Sequence, residues 1–231
     1  MAKKNEQSSV DDALNQSEAF FMKYKKAIIA AVVAVVVIVV GGILYCNYVY
    51  VPEEEEASTA LARGEQYMEM GDIEHALKGD GANYKGFVYI ADKYSNTDAG
   101  NLANLYAGLC YAHLQTPDWK NALKYVKEFD TSDDMIISPA SQMALGDIYA
   151  NNNQLDEAVK SFKKAAEMAD DEAADNLSTS IAPLALRKAG IILESQGKKD
   201  DAHELYTEIK KKYVTSTVYQ DIDKYIERTA K

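Results

Sequence analysis

Residues 27–45 read AIIAAVVAVVVIVVGGILY, nineteen positions without a charge, seven of them Val and four Ile. As a helix this run would span roughly 28 Å, about the hydrocarbon thickness of a bilayer. In water so many β-branched residues would favour strands. In lipid each backbone N–H and C=O must be satisfied within the segment, and that selects a helix. The run therefore predicts a transmembrane helix, and it divides the chain into a short leader and a large domain held at a membrane.

Orientation follows from the flanks. Lys23, Lys25 and Lys26 precede the run, whereas Glu53, Glu54, Glu55 and Glu56 follow it, and no Lys or Arg recurs before Arg63. The positive-inside rule places the N-terminus in the cytoplasm and the C-terminal domain across the membrane. Phe20, Phe21 and Tyr24 on one side and Tyr45, Tyr48 and Tyr50 on the other suit the two interfacial belts. A cleaved signal is the alternative, but the run exceeds the usual apolar length of about 7–15 residues and no small-x-small site follows it. Lipidation of Cys46 would need a small residue where Tyr45 stands. Ala27/Ala31 and Ala30/Ala34 form small-xxx-small pairs, a candidate face for approach of another membrane helix.

The chain of 231 residues carries a formal charge of −11, and residues 1–26 contribute +1, which leaves −12 beyond them. Such acidity argues against nucleic acid and against an anionic membrane surface as partners of the large domain. The two cysteines, Cys46 and Cys110, offer neither a disulfide framework nor a CxxC pair, and Cys110 lies in an apolar helical stretch that suits a buried thiol. His75, His113 and His203 stand apart without metal-ligand spacing, so no metal or cofactor is expected. No nucleophile–base arrangement or Gly-rich phosphate loop is visible. The acidic clusters Asp133/Asp134 and Asp170/Asp171/Glu172 lack calcium-loop spacing and read as solvated charge. Neither an enzyme nor a small-molecule substrate is expected.

Beyond the run, apolar residues recur at three- and four-residue spacing and proline is scarce, which predicts helix throughout. One pattern returns within it. From Gly146 it gives Tyr149, Ala158, Phe162 and Ala165, and from Gly190 the same offsets give Leu193, Ala202, Tyr206 and Ile209. From Gly64 they give Tyr67 and Ala76 before the register breaks. From Gly108 they give Tyr111, then Ala122 and Val126 after two extra residues. This resembles the tetratricopeptide repeat, although the anchors are 38–44 residues apart, no Trp opens a repeat and no closing proline appears. The small positions let paired helices approach, and the aromatic positions fill the space between them.

The expected fold class is all-α: one transmembrane helix, then a tetratricopeptide-repeat-like solenoid of about four helix pairs with a C-terminal capping helix. The domain division is 1–26 cytoplasmic segment, 27–48 transmembrane helix, 49–56 acidic linker and 57–231 repeat domain. Expected helices cover 57–70 and 83–94, 98–114 and 118–129, 139–152 and 155–168, 174–196 and 199–213, with the cap at 217–229. Gly79, Asp80 and Gly81 break the first pair, Asn151, Asn152 and Asn153 turn the third, and Gly197 ends a helix in the fourth. In the leader, 10–24 reads as a modestly amphipathic helix opened by a Ser9/Asp12 capping box.

A repeat array offers a surface lined by the first helix of each pair. Placing the repeat's groove positions on this sequence nominates Leu102, Leu105, Leu109 and His113, then Met143, Asp147 and Asn151, then Arg187, Ile191 and Glu194. An extended or helical peptide with apolar side chains is the natural ligand for that mixture, against ordinary inter-helix packing as the plain alternative.

The whole layout resembles the bacterial ancillary subunit family of the SecYEG translocon, which joins a short cytoplasmic N-terminus, one anchor and an external tetratricopeptide-like domain. The resemblance runs from the 17–24 lead-in and the lysine-flanked anchor to the last helix. It implies a bacterial inner membrane, a periplasmic domain, and translocon subunits, periplasmic chaperones and exported polypeptides as partners in protein export. An envelope scaffold joining folded complexes without binding nascent chains is a second expectation, and a cytosolic receptor of reversed topology a third, against which the charge flanks speak.

Overall fold

The computed structural model describes the backbone of residues 3–230 and the side chains of Phe20 and of residues 22–230. Among the described residues there are helices and turns but no strand. The chain falls into two units, Met1–Glu53 and Glu54–Lys231.

The first unit is dominated by helix α1 (Lys3–Tyr45), followed by a π-helical segment, Cys46–Tyr50. Its apolar side chains from Ile29 to Leu44 are exposed along the helix. By length and composition α1 can cross a membrane. Helix α1 begins at Lys3, so Ser9 lies inside it and not at an N-cap; the side chains of Ser9, Asp12, Phe21 and the amphipathic pattern before Phe20 lie outside the described residues. Just before the apolar run, the Phe20 and Tyr24 rings are 4.8 Å apart and the Lys23 ammonium lies 5.3 Å from the Tyr24 ring.

Helix α2 (Val51–Glu69) takes in Glu53–Glu56, residues expected as a linker. Glutamate is a good helix former, and that favours helix over coil here. In the second unit follow α3 (Ile73–Lys78), α4 (Phe87–Lys93), α5 (Asp98–His113), α6 (Trp119–Glu128), α7 (Ile137–Asn151), α8 (Leu155–Asp171), α9 (Ile181–Ser195), α10 (Lys199–Lys212), a 3-10 turn at Thr217–Asp221 and α11 (Ile222–Thr229). Helices consecutive in sequence pack together from α4 to α11, with α5 also touching α7 and α7 touching α9.

The turn inside a helix pair repeats to the atom. Gly71, Asn153 and Gly197 each stand seven residues after Gly64, Gly146 and Gly190, and each takes a left-handed φ of 59–76°. Gly71 N–H donates to the Met68 carbonyl and Asp72 N–H to that of Tyr67; Asn153 and Gln154 do the same to Ala150 and Tyr149, and Gly197 and Lys198 to Glu194 and Leu193. This is the Schellman closure, which satisfies the carbonyls left over at a helix end. At the second pair the closing bond runs from Asp118 N–H to the Tyr111 carbonyl at 3.0 Å, so the two extra residues sit within the turn.

The glycine anchors are seats for the next helix. A methyl group on Gly146 would lie 2.6 Å from Phe162 Cε1, and one on Gly190 would overlap the Tyr206 ring. Gly108 faces Val126 and Gly64 faces Phe87 and Tyr84 in the same way. Ala76, Ala122, Ala158 and Ala202 are fully buried beside these contacts. The aromatic for Gly64 arrives late because residues 79–86 are inserted as a loop. Its two ends are Gly79 and Gly86 with φ of 91° and 93°, a region closed to other residues. Asp80 folds the loop: its carboxylate accepts from Tyr84 N–H, Ala82 N–H and the Tyr67 hydroxyl, which hold its pKa down at about 2. This loop explains why the first pair has the short α3 and a second helix starting at Phe87, not at residue 83.

One further boundary departs from expectation. Helix α9 starts at Ile181, not at residue 174, because Pro183 has no N–H and fits only the first turn. Pro139 holds the same third position in α7. The segment before α9 is instead pinned by Asp170, which accepts from Ser178 N–H at 2.8 Å and from the Tyr213 hydroxyl at 2.7 Å.

Urea unfolding of the full chain in detergent checks the seats and the turns together. Gly146→Ala is expected to lower stability by about 1–3 kcal/mol through overpacking on Phe162. Asn153→Gly is expected to raise it by about 0.5 kcal/mol, since glycine meets no steric cost at that φ.

Candidate functional site

The nominated groove residues lie on α5, α7 and α9, the helices that adjoin one another. Burial separates them. Leu105 is buried with Ala122, Val126, Leu145 and Ile148, so it packs helices and offers no surface. Leu102 and Leu109 are partly buried against that same cluster, and Met143 against the one from Ala158 to Ile222. His113 is exposed, with its Nδ1 2.8 Å from the Leu109 carbonyl oxygen. Asn151 is exposed and donates to the Asp147 carbonyl at 2.9 Å. Arg187 is half-buried and Ile191 exposed.

The two acidic candidates are committed to neighbours. Asp147 accepts from the Lys188 ammonium at 2.6 and 2.7 Å, an ion pair that joins α7 to α9. Glu194 accepts from the Arg228 guanidinium at 2.7 and 2.6 Å and from the Tyr206 hydroxyl at 2.5 Å. Burial pushes the Glu194 carboxyl up, but the Arg228 and Tyr206 hydrogen bonds outweigh it and hold the pKa below the ordinary value. Glu194 therefore ties α11 to α9 and α10. The structure brings Asp147 and Arg187's neighbour Lys188 together, while Leu105 and Glu194 are withdrawn from any partner. In the first unit Ala27, Ala30, Ala31 and Ala34 are all exposed on α1.

One depression was not signalled by repeat spacing. It measures about 630 Å³ and lies between the start of α5 and the segment leading into α7, lined by Asp98, Asn101, Leu102, Phe129, Asp130 and residues 132–137 except Asp133. The segment is tightly held. Asn101 donates to the Asp130 carbonyl and accepts from Asp130 N–H, both at 2.8 Å. Ser132 N–H donates to Ser138 Oγ at 2.9 Å. Asp134, expected as solvated charge, caps α7 by accepting from Ile136, Ile137 and Ser138 N–H. Burial raises its carboxyl, and the Ser138 hydroxyl with those amides more than reverses this. The available sequence signal was the triplet Met135, Ile136 and Ile137 standing in a break between helices.

Cys110 is fully buried, and burial pushes its thiol up to about 12, which suits packing and not chemistry. Among the described residues no group of three or more His, Cys, Asp or Glu could hold a metal ion.

Comparison with known proteins adds one finding. A protein-family model described as the Suppressor of spindle checkpoint defect 1 C-terminal domain matches residues 113–219. The chain is thus similar to that domain over a little under half of its length. No curated protein matches the chain. The translocon resemblance is overturned. It rested on layout alone, one anchor before paired helices, and no residue in it is diagnostic, so an unrelated chain with the same solvent constraints carries the same signs. The bacterial inner membrane, the translocon and chaperone partners and the export role came with that resemblance and lose its support.

The Glu194 tie yields a pH-dependent expectation. Its folded pKa is depressed, so its contribution is present above the unfolded value near about 4.3 and fades as pH falls below it. Glu194 is 15% and Arg228 54% exposed, so solvent screens the pair. Arg228→Met is expected to cost roughly 1 kcal/mol at pH 7, with the gap to the parent closing below pH about 4. Thermal melts across that range measure it.

Proposed function

We propose that this chain is a membrane-tethered, non-enzymatic protein-binding scaffold whose C-terminal domain is a tetratricopeptide-like solenoid of about four helix pairs with a closing C-terminal helix. The observation that carries the reading is the glycine seat under the next helix's ring or branched side chain at Gly64, Gly108, Gly146 and Gly190, which at Gly146 and Gly190 recurs with the same offsets to the ring and to the closure seven residues on. Repetition of one supersecondary unit is how an array builds a long surface for polypeptides without a deep pocket. The side-by-side first helices α5, α7 and α9 supply that surface, with Met143 and Ile191 as its available apolar positions.

The tether is the apolar run of α1, and the lysines before that run with the glutamates after it argue for a cytoplasmic N-terminus and a domain on the opposite side. Anchoring confines the binding surface to the neighbourhood of membrane partners, so weak contacts suffice for occupancy.

Photocrosslinkers placed at Met143 and Ile191 of the full chain in intact cells are expected to capture polypeptides, and added protease is expected to reach the C-terminal domain only from the non-cytoplasmic side. Crosslinks confined to lipid or absent at both positions would count against the binding role; digestion only from the cytoplasmic side would reverse the topology.

A further inference from the structure

We propose that the depression between the start of α5 and the segment entering α7 docks a polypeptide carrying an aliphatic side chain between lysines or arginines. The proposal rests on the protein-binding reading above and specifies the chemistry of one partner segment.

Its floor is an aliphatic patch. Met135, Ile136 and Ile137 are 56%, 66% and 42% exposed in succession. Leaving such side chains in water forfeits their transfer free energy, and a loosely tethered loop would fold them inward. Here the backbone denies that option. Asn101 clamps Asp130 in both directions, Ser138 holds Ser132, and Asp134 takes three amides at the head of α7. The triplet is presented on a fixed frame, so binding a partner there costs little ordering.

The rim decides the partner. Asp98 and Asp130 are exposed at its edge, and no Lys or Arg lines it. Among the described residues neither carboxylate takes part in an ion pair. An apolar floor with unpaired negative charge above it is complemented by an aliphatic side chain with cations beside it. A nucleic acid or an anionic bilayer would meet like charge. A second copy would bring its own net charge of −11 to the same edge, which disfavours self-docking.

The test uses the full chain in phosphatidylcholine nanodiscs and a fluorescein-labelled heptapeptide, Leu-Ile-Leu between two pairs of lysines, read by anisotropy. Its glutamate-flanked counterpart is expected to bind at least tenfold more weakly. Asp98→Asn with Asp130→Asn is expected to weaken the lysine peptide about five- to tenfold and to flatten its salt dependence. Ile136→Ser is expected to weaken it about tenfold. All these side chains are exposed, and unchanged circular dichroism melts confirm that the variants fold. Equal binding of the two peptides, or indifference to Ile136→Ser, overturns the proposal. So does a dimer in sedimentation that Ile136→Ser converts to monomer, which would assign the patch to a second copy. If Met143 and Ile191 crosslink to polypeptides while this peptide does not bind, the scaffold reading stands and this inference alone fails.

Discussion

A ring or branched side chain resting on a bare backbone is the contact from which the helical unit is built. Where Phe162 meets Gly146 and Tyr206 meets Gly190, the absence of a single methyl group sets how near two helices come. That approach in turn brings the fully buried alanines into contact, and their small volumes leave room for little else. Interiors packed at crystal-like density respond to one carbon atom, so these positions tolerate few side chains. The helix-end closure that follows each seat fixes the direction in which the partner helix leaves. Seat and turn act together: one sets distance, the other sets angle.

Much of this was readable from residues. The offsets from Gly146 and Gly190 led to the rings that occupy the seats, and Gly197 and Asn153 stand where a reversed φ is needed. Register failed after Ala76 for a reason the pattern could not supply. Residues 79–86 form a loop whose shape depends on Asp80 bonding to Tyr67 in α2, a contact thirteen residues away. The start of α9 was misplaced because the apolar pattern extends upstream of Pro183, and proline's lost N–H overrides pattern there.

The candidate surface was legible only in part. Spacing identifies which residues share a helix face, but Leu105 shows that a face can be claimed by a neighbouring helix and buried. Charge identifies carboxylates but not their partners: Glu194 looks available in the sequence and is occupied by Arg228, thirty-four residues on. The depression beside α5 escaped notice because it is made by a connecting segment, where repeat spacing carries no information. Resemblance of layout misled in a similar way. An apolar helix followed by paired helices is dictated by solvent and packing, and those constraints act on unrelated chains alike.

The tie between Glu194, Arg228 and Tyr206 has a bearing on assembly. The apolar side of α9 and α10 is an end on which another molecule could add. Here α11 lies against that end, with the Tyr225 ring 5.1 Å from Tyr206 and Ile222 fully buried beside them. Asp223, Lys224 and Glu227 of α11 face water. Growth into filaments through this end would require breaking a bidentate guanidinium–carboxylate contact before any new surface could be gained.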